Sequence, residues 1–304
     1  MSISVLGIYV ADLVFFGKKI PVEGETILGN NFVIGPGGKG SNQAVAAAKA
    51  GVKTYFISKI GDDQFGEMAT KIYDEANVDY SNVIISKEHS TGAAAIMVNE
   101  QSGANAINVF PGAAGAITNS DIDKAEQAIK NSKIFLTQLE APKDTVFYAI
   151  KKANELGVQT ILNPAPAAEI DKSIFPFVDY FTPNETEASF YVNHLVETHE
   201  DASKAASALL DMGIKNVIIT LGEKGAYFAN ANETFSSPIA NLSNQVVDTT
   251  GAGDAFNGAF ATSLCEGKSV NEAIKFANCY AGISTTRIGT ANSMPSREEI
   301  DKIL

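Results

Sequence analysis

Residues 248–258, DTTGAGDAFNG, combine a glycine-rich turn with a carboxylate, a pairing suited to phosphoryl transfer. The Ala- and Phe-rich residues that follow predict a helix beginning near Gly253. Successive amides at Gly251, Ala252 and Gly253 would then point outward at the positive end of the helix dipole, where anions bind. Asp254 would lie in the first helical turn. It could act there as a base that accepts a hydroxyl proton beside a bound phosphoryl group, or as an N-terminal cap.

A second glycine cluster, GPGGKGSNQAVAAAKAG at 35–51, leads into an Ala-rich helix. Its glycines match the spacing G-x-G-x-x-G, but a dinucleotide site also needs an acidic residue about 20 positions on, and none occurs between Thr26 and Gly61. A P-loop is excluded because Lys39 is followed by glycine rather than by Ser or Thr. Lys39 and Asn42 near the helix start would suit a small polar ligand, and the alternative is a helix-entry turn that binds nothing.

Three further polar positions follow apolar runs. In TPNETEA (182–188), Asn184 and Glu187 have the i, i+3 spacing that could reach one hydrated metal ion or form a capping box. TLGEKGA (220–226) is a turn with two glycines, which suits the approach of a nucleotide. Glu140 lies at the end of another apolar run, in TQLEAP. It could be a ligand-binding carboxylate or a solvated strand end.

The elements that position these residues are clearest in the second half of the chain, where strand and helix patterns alternate. Short apolar runs predict strands at 133–140, 158–164, 177–183 and 216–222. Helical patterns at 144–157 and 200–213 lie between them and end in glycine. This order predicts an α/β fold, a parallel sheet with helices on both faces, and the N-terminal MSISVLGIYVADL predicts a buried first strand. Such sheets bind ligands at the carboxyl ends of their strands.

Two stretches, about 11–36 and 90–111, depart from this alternation. They are strand-like without an intervening helix, and the second predicts a hairpin around EQSG. We expect a small β-sheet that projects from the main domain. It could be a lid over the site, a dimerisation surface or a hairpin with neither role.

Composition limits the class of protein. The 304 residues, 45% hydrophobic and 19% charged, predict one large domain over 1–304. The net charge of −12 disfavours a nucleic-acid partner. Two cysteines provide no disulfide framework, and no apolar run reaches membrane-spanning length, so we expect a cytoplasmic protein with no membrane partner. The three histidines lie outside every cluster, and no zinc-ligand spacing or G-x-S-x-G elbow occurs.

Four motifs together resemble the ribokinase family of sugar kinases: GGKGSNQA, NPAPA, TPNETEA and DTTGAGDAFNGA. The resemblance runs from about residue 4 to residue 304, in order and with similar spacing. It implies a ribokinase-like three-layer α/β sandwich with a central, mostly parallel sheet and a small β-sheet lid that pairs two subunits into a homodimer. It also implies transfer of the γ-phosphoryl group of ATP to a primary sugar hydroxyl, O5 of a pentose.

The resemblance further implies a role for individual residues. Asp254 falls on the catalytic base, and the amides of Gly251, Ala252 and Gly253 fall on the anion hole. The positions that fall on the sugar site are Val10, Asp12, Gly38, Lys39, Asn42 and Glu140. Those on the nucleotide side, the last two on the phosphate–Mg²⁺ motif, are Thr220, Gly222, Gly225, Asn278, Asn184 and Glu187. Those for a K⁺ ion beside the anion hole, several of them through backbone oxygens, are Asp248, Thr250, Ser284, Arg287, Gly289 and Ser293.

One position departs from the family pattern. Ribokinases read Asn-x-Asp at the end of the first strand, and this chain has Val10-Ala11-Asp12. A sugar hydroxyl left unpaired against Val10 costs about 1–3 kcal/mol, and a sugar that lacks that hydroxyl loses nothing. Deoxyribokinases resemble the chain here, so both ribose and 2-deoxyribose stay open. If water or another side chain replaces the Asn, ribose remains the substrate.

Two other classes of function are compatible with the motifs. One is a non-catalytic sugar or nucleotide sensor, although a sensor has no need of a base such as Asp254. The other is a kinase of a nucleoside, a hexose phosphate or another small sugar, although the chain has no extra basic cluster for a substrate phosphate.

Overall fold

The computed structural model describes residues 1–240 and 245–303. In chain order its strands are β1 (Ser2–Leu6), β2 (Val10–Gly17), β3 (Asn31–Gly37), β4 (Lys53–Gly61), β5 (Val78–Ser86), β6 (Thr91–Asn99), β7 (Asn105–Gly112), β8 (Ile134–Thr137), β9 (Gln159–Leu162), β10 (Tyr180–Phe181), β11 (Asn216–Thr220), β12 (Ala226–Asn230) and β13 (Thr234–Ser237). Its α-helices are α1 (Lys39–Lys49), α2 (Gln64–Ala76), α3 (Asn119–Lys124), α4 (Glu126–Lys130), α5 (Lys143–Glu155), α6 (Glu185–Val192), α7 (His199–Asp211), α8 (Ala252–Cys265), α9 (Val270–Ser284) and α10 (Arg297–Asp301).

The larger sheet has nine strands in the order β13-β12-β11-β10-β9-β8-β1-β4-β5. Its strands are parallel from β5 through β11, and the β12 and β13 pairings are antiparallel. The carboxyl ends of the parallel strands therefore meet at one edge, where Thr137, Leu162, Phe181 and Thr220 end β8, β9, β10 and β11.

Alternation along the central strands divides the core into two layers, one on each face of this sheet. Ile134 and Leu136 of β8 lie in the cluster that includes α1, α2, α8 and α9, whereas Phe135 lies in the cluster that includes α3 to α7. Ile218 and Ile219 of β11 divide in the same way. The predicted mostly parallel α/β fold with helices on both faces is confirmed.

The four remaining strands form a separate sheet in the order β3-β2-β6-β7. They fall within the two stretches that interrupt the alternation, at about 11–36 and 90–111, with differences of one residue at the ends. The hairpin expected around EQSG joins β6 to β7. That this sheet is a lid and that 1–304 is a single domain stay predictions.

Two of the expected strands differ from the sequence-based expectation. The first apolar run is two strands, because the chain breaks at Gly7, whose Cα packs against the backbone of Gly40. Val10 to Asp12 consequently open β2 of the smaller sheet rather than end β1. The expected strand at 177–183 is reduced to Tyr180–Phe181, because the chain up to Phe177 forms a 3-10 helix. The helices predicted at 144–157 and 200–213 are α5 and α7, with each glycine just beyond the C-cap.

Within the described ranges, no helix combines the length and the apolar composition needed to cross a lipid bilayer.

Candidate active site

Asp254 lies in the first turn of α8, and its carboxylate faces α1. Asn42 Nδ2 donates to Asp254 Oδ2 at 2.9 Å, and Gln43 Nε2 donates to Oδ1 at 3.0 Å. The N-cap of α8 is Gly251, with a φ of 78°, and no side chain caps it. The interpretation of Asp254 as a helix cap is therefore wrong. The Asp254 carboxylate is therefore oriented by two side-chain amides of α1 and not by the backbone of its own helix.

Glycines allow α1 to begin against the β1–β2 connection. The N-cap of α1, Gly38, has a φ of 90°, and a Cβ there would lie 2.6 Å from the carbonyl oxygen of Ile8. A Cβ on Gly40 would lie 2.5 Å from Gly7 Cα, and one on Gly37 would lie 2.3 Å from the Asp12 carboxylate oxygens. The glycine pattern is thus required for close packing that brings Asp12 next to the start of α1.

Glu140 follows β8 and belongs to the same site. Its Oε2 accepts the backbone N–H of Lys39 at 2.8 Å, which ties the start of α1 to the end of the central strands. Glu140 is half-buried. The interpretation of Glu140 as a solvated strand end is therefore wrong.

The charged side chains of the site influence one another electrostatically. Burial raises the pKa of Asp12 to about 6, with a further contribution from the charge of Asp254. Burial also raises the pKa of Glu140 to about 7, against the opposing effect of Lys39. The Asp254 charge, followed by those of Glu140 and Glu187, holds the pKa of Lys39 above its ordinary value although burial lowers it. Burial raises the pKa of Asp254, partly offset by Lys39 and by its two amide donors.

Val10 lies two residues before Asp12 on β2, so both side chains are on the same face of that strand. Its side chain is 3% exposed, and its neighbours in register are Gly37 and Gly92. The position that departs from the family pattern is therefore apolar, buried and on the Asp12 side of the smaller sheet.

The turn before α8 differs in one respect from the expected row of free amides. The Ala252 amide donates to the carbonyl oxygen of Thr249 at 3.2 Å. Among the described residues, the amides of Gly251 and Gly253 have no acceptor. Two of the three amides expected at the anion hole are thus available, and their role stays a prediction.

The nucleotide-side residues meet around Ser237 and Pro238, at the end of β13. Asn278 Nδ2 of α9 donates to the carbonyl oxygens of both residues at 3.1 Å. Gly222 and Gly225 have φ values of 52° and 88°, and a Cβ on Gly225 would lie 2.1 Å from the Ser237 carbonyl oxygen. Thr220 ends β11 immediately before this turn. The four positions are brought together, and nucleotide binding by them stays a prediction.

Asn184 and Glu187 form the capping box at the start of α6. Asn184 Oδ1 accepts the Glu187 amide at 2.8 Å, and Glu187 Oε2 accepts the Asn184 amide at 2.9 Å. Glu187 Oε1 accepts no hydrogen bond from the described residues, and Lys39 and Asp254 both influence the pKa of this carboxyl, which burial raises. Among all the residues that the structure describes, no three His, Cys, Asp or Glu side chains cluster in a way that could hold a metal ion. These residues fit a Mg²⁺ that arrives with nucleotide phosphates, not an all-protein cage.

The residues expected to hold K⁺ lie in two segments that are joined to each other. Asp248 accepts the amides of Thr250 at 2.9 Å and Gly289 at 3.0 Å, so both of its carboxylate oxygens are occupied. Arg287 pairs with Glu299 through its guanidinium. The hydroxyls of two further members donate to nearby carbonyls; they are Ser284 and Ser293. Within the described residues the carbonyl oxygens of Thr250, Arg287 and Gly289 accept no hydrogen bond, and such oxygens suit a monovalent cation.

The sequence-based interpretation missed Gln43, although it is adjacent to Asn42 and donates to the same carboxylate. The signal was its polarity within an otherwise Ala-rich helix that is buried over most of its length.

A buried carboxylate beside unpaired helix-terminal amides, at the carboxyl ends of a mostly parallel sheet, suits the transfer of a phosphoryl group to a hydroxyl. The pfkB family of carbohydrate kinases matches residues 1–297. The chain belongs to this family, and the predicted sugar-kinase class is confirmed.

Known relatives match this chain over nearly its whole length, in sequence and in fold. The chain is 38% identical over 305 residues to deoxyribokinase of Salmonella typhi, covering 100% of this chain and 99% of the relative. It is 39% identical over 298 residues to ribokinase of Haemophilus influenzae, covering 98% and 96%. A solved structure of Arabidopsis thaliana ribokinase complexed with ribose and ATP has a TM-score of 0.93 and 32% identity, covering 99% and 97%.

Proposed function

We propose that the protein transfers the γ-phosphoryl group of ATP to the O5 hydroxyl of a pentose. The observation that carries this proposal is the buried Asp254 carboxylate, held by Asn42 beside Asp12, Lys39 and Glu140. The similarity to ribokinase and deoxyribokinase over nearly the whole chain supports it.

In the proposed reaction, Asp254 accepts the proton of O5 as that oxygen forms its bond to the γ-phosphorus. The bond between the γ-phosphorus and the β–γ bridging oxygen breaks, and ADP leaves. The amides of Gly251 and Gly253 stabilise the equatorial oxygens of the migrating group. Asn184 and Glu187 are the residues that would hold a nucleotide-bound Mg²⁺, which would supply charge neutralisation for the phosphates.

The sugar would be held by acceptors and one amine. Asn42 Oδ1 is buried and has no hydrogen-bond partner among the described residues, so a sugar hydroxyl would satisfy it. Asp12 and Glu140 offer carboxylate acceptors, and Lys39 is a donor that forms no ion pair with any described residue. The carboxyl of Glu140 accepts hydrogen bonds best when it is ionised. Glu140 therefore favours binding of the sugar at neutral pH and above.

We propose 2-deoxyribose as the preferred pentose. Val10 is apolar, buried and on the same face of β2 as Asp12, so it can contact the sugar but cannot pair with a hydroxyl. An unpaired hydroxyl costs about 1–3 kcal/mol, which is a factor of about 5 to 150 in kcat/KM.

The experiment is an ADP-release assay with a pentose panel, run in potassium and in tetramethylammonium salts. We expect kcat/KM to be about tenfold higher for 2-deoxyribose than for ribose, and Val10→Asn to reverse most of this preference. Val10→Thr, which keeps the shape and replaces one methyl group with a hydroxyl, is the matched intermediate. A strong preference for ribose in the wild type, unchanged by Val10→Asn, would show that Val10 does not select the sugar.

We propose that a K⁺ ion is bound by the unpaired carbonyl oxygens of Thr250, Arg287 and Gly289. Asp248 supports this loop by accepting the amides of Thr250 and Gly289. The ion would fix the turn that precedes Gly251 and so keep the anion-hole amides in place. The potassium arm of the panel is expected to give the higher kcat.

We propose a homodimer formed through the face of the smaller sheet that points away from Asp12. The strand register places five exposed apolar side chains on that face; they are Phe15, Phe32, Ile34, Met97 and Phe110. The rings of Phe15 and Phe32 lie 4.7 Å apart. An exposed apolar face of this kind is typical of a subunit interface.

Phe32→Lys is expected to convert the dimer into a monomer, because it places a charge in the centre of the proposed interface. Val33→Lys is the matched control, since Val33 is 45% exposed against 47% for Phe32 but points to the opposite face of β3. Sedimentation velocity measures the outcome. A wild type that sediments as a monomer, or a Phe32→Lys variant that stays dimeric, contradicts the proposed interface.

We also propose a cytoplasmic location. Cys265 and Cys279 are both buried free thiols, which suits a reducing compartment.

A further inference from the structure

Several residues of the sequence motifs have no role in the proposed chemistry, yet the structure joins them, together with the carbonyl oxygen of Gly253, into one series of hydrogen bonds. Each of these residues is either buried or accepts a hydrogen bond from a buried neighbour. In order along the hydrogen bonds they are Gly253, Asn257, Thr182, Asn163, Gln43 and Gln138. They come from five separate stretches of sequence, including NPAPA, for which no other function has been found.

Backbone carbonyl oxygens fix the orientation of the side-chain amides in this series of hydrogen bonds. Asn257 Nδ2 donates to the carbonyl oxygen of Gly253 at 2.8 Å, and a carbonyl can only accept. Asn257 Oδ1 therefore faces Thr182, whose hydroxyl donates to it at 2.6 Å. The turn that carries the anion-hole amides is thereby attached to the end of β10.

A second backbone carbonyl fixes the next link. Asn163 Nδ2 donates to the carbonyl oxygen of Thr182 at 3.0 Å, so Asn163 Oδ1 must face Gln43. Gln43 Nε2 donates to this oxygen at 3.0 Å. Because Gln43 must present its nitrogen here, its second N–H is directed to Asp254 Oδ1. Its own Oε1 accepts from Gln138 Nε2 at 2.5 Å.

We infer that Gln43 is a positioning residue of the phosphoryl transfer, oriented by Asn163 so that it can only donate to the Asp254 carboxylate. This inference rests on the proposed function, in which Asp254 is the base. The donated hydrogen bond favours the ionised form and fixes the carboxylate rotamer, so that the oxygen lone pairs left free point out of the helix. A glutamine with the reverse orientation would face Asn163 and Asp254 with an acceptor and repel both.

Other charged groups also face Asp254, and each belongs to a different element. They are Lys39 at the start of α1, Asp12 on β2, Glu140 after β8 and Glu187 on α6. A change at Gln43 leaves all four in place, so a shift in the titration of Asp254 reports the lost donor.

The test is the pH profile of kcat at saturating ATP and saturating 2-deoxyribose or ribose, whichever the panel identifies as substrate, so that sugar binding by Asp12 and Glu140 does not set the acid limb. Gln43→Met keeps most of the volume and removes the donor. We expect its acid limb to move about one unit to higher pH, because loss of a donor to the charged form raises the pKa of a carboxyl. Gln43→Glu adds a carboxyl beside Asp254 and is expected to move the limb further in the same direction. The KM for ATP is expected to stay unchanged, and kcat is expected to recover at alkaline pH.

Gln138→Met is the matched control. Gln43 and Gln138 are 0% and 1% exposed, and this variant also breaks the hydrogen bond between them. It leaves Gln43 Nε2 directed to Asp254, so we expect a comparable fall in Tm with the acid limb unmoved. A purely structural role for Gln43 would instead make the two methionine variants alike.

A direct reading of Asp254 separates failure of this inference from failure of the proposed function. The carboxyl ¹³C resonance of Asp254, assigned by its loss in Asp254→Asn, is expected to titrate at higher pH in Gln43→Met than in the wild type. If it titrates unchanged while Asp254→Asn is inactive, the positioning role is overturned and the kinase proposal stands. If Asp254→Asn stays active, the base assignment is overturned instead.

Discussion

Replacing Asp254 with asparagine is expected to lower kcat by about three orders of magnitude, since loss of a positioned base costs about 10²- to 10⁴-fold. Asparagine keeps the size of the side chain but cannot accept the O5 proton. Its amide must also face two donors, Asn42 Nδ2 and Gln43 Nε2, with only one acceptor atom. The residual activity then comes from binding and from the anion-hole amides. An ADP-release assay at saturating ATP and pentose measures the effect.

The control separates chemistry from folding. Asp211→Asn, at the exposed end of α7, is the same substitution away from the site and is expected to leave kcat unchanged. Calorimetric titration of Asp254→Asn with ATP is expected to give nearly the wild-type affinity, because the nucleotide-side residues lie on other elements. Retention of a substantial fraction of kcat by Asp254→Asn would exclude it as the base.

Gly258→Ala is expected to lower the free energy of unfolding by about 2–3 kcal/mol, in spite of the higher helix propensity of alanine. Gly258 is the point where α8 crosses α1. An added Cβ would lie 2.6 Å from Ala46 Cβ and 2.7 Å from the Gln43 carbonyl oxygen. The helices must separate to admit it. Since α1 carries Asn42 and Gln43 while α8 carries Asp254, kcat is expected to fall as well.

Urea denaturation of Gly258→Ala and kcat at a temperature where the variant is folded measure the two effects. Gly35→Ala on β3 is the control for the unfolding free energy, because an added Cβ there meets nothing within 4 Å. An unfolding free energy equal to that of the wild type would mean that close contact between the two helices is unimportant.

The sequence predicted the fold best where apolar periodicity and turn residues agree. In the second half of the chain the strand runs are short, and the helices α5 and α7 end next to Gly157 and Gly213, so local signals and tertiary structure coincide there. The first apolar run was harder. Residues on both sides of Gly7 are buried, so no change of periodicity marks the break between β1 and β2. The close backbone contact of Gly7 with Gly40 depends on a residue far along the chain.

The site was predictable to the extent that its residues lie in short motifs. Asp254, Lys39 and Asn42 are adjacent to glycine turns that mark helix starts, and the carboxyl ends of parallel strands predict where they meet. The roles of Gln43 and Asn163 were not predictable in this way, because each depends on a partner more than a hundred residues away, and the polarity of Gln43 in an Ala-rich helix does not identify that partner. The Thr249 carbonyl that engages the Ala252 amide was missed for a different reason, since it depends on the geometry of one turn.

The most direct test of the central claim is the position of the phosphate in the product. Proton-coupled ³¹P NMR of a reaction with ATP and 2-deoxyribose or ribose distinguishes a phosphate on C5 from one on C1 by its coupling to two methylene protons. With the Asp254 carboxylate within proton-transfer reach of the primary alcohol, the wild type is expected to give the pentose 5-phosphate and ADP in equal amounts. A product phosphorylated on C1, or inorganic phosphate alone, would contradict that arrangement.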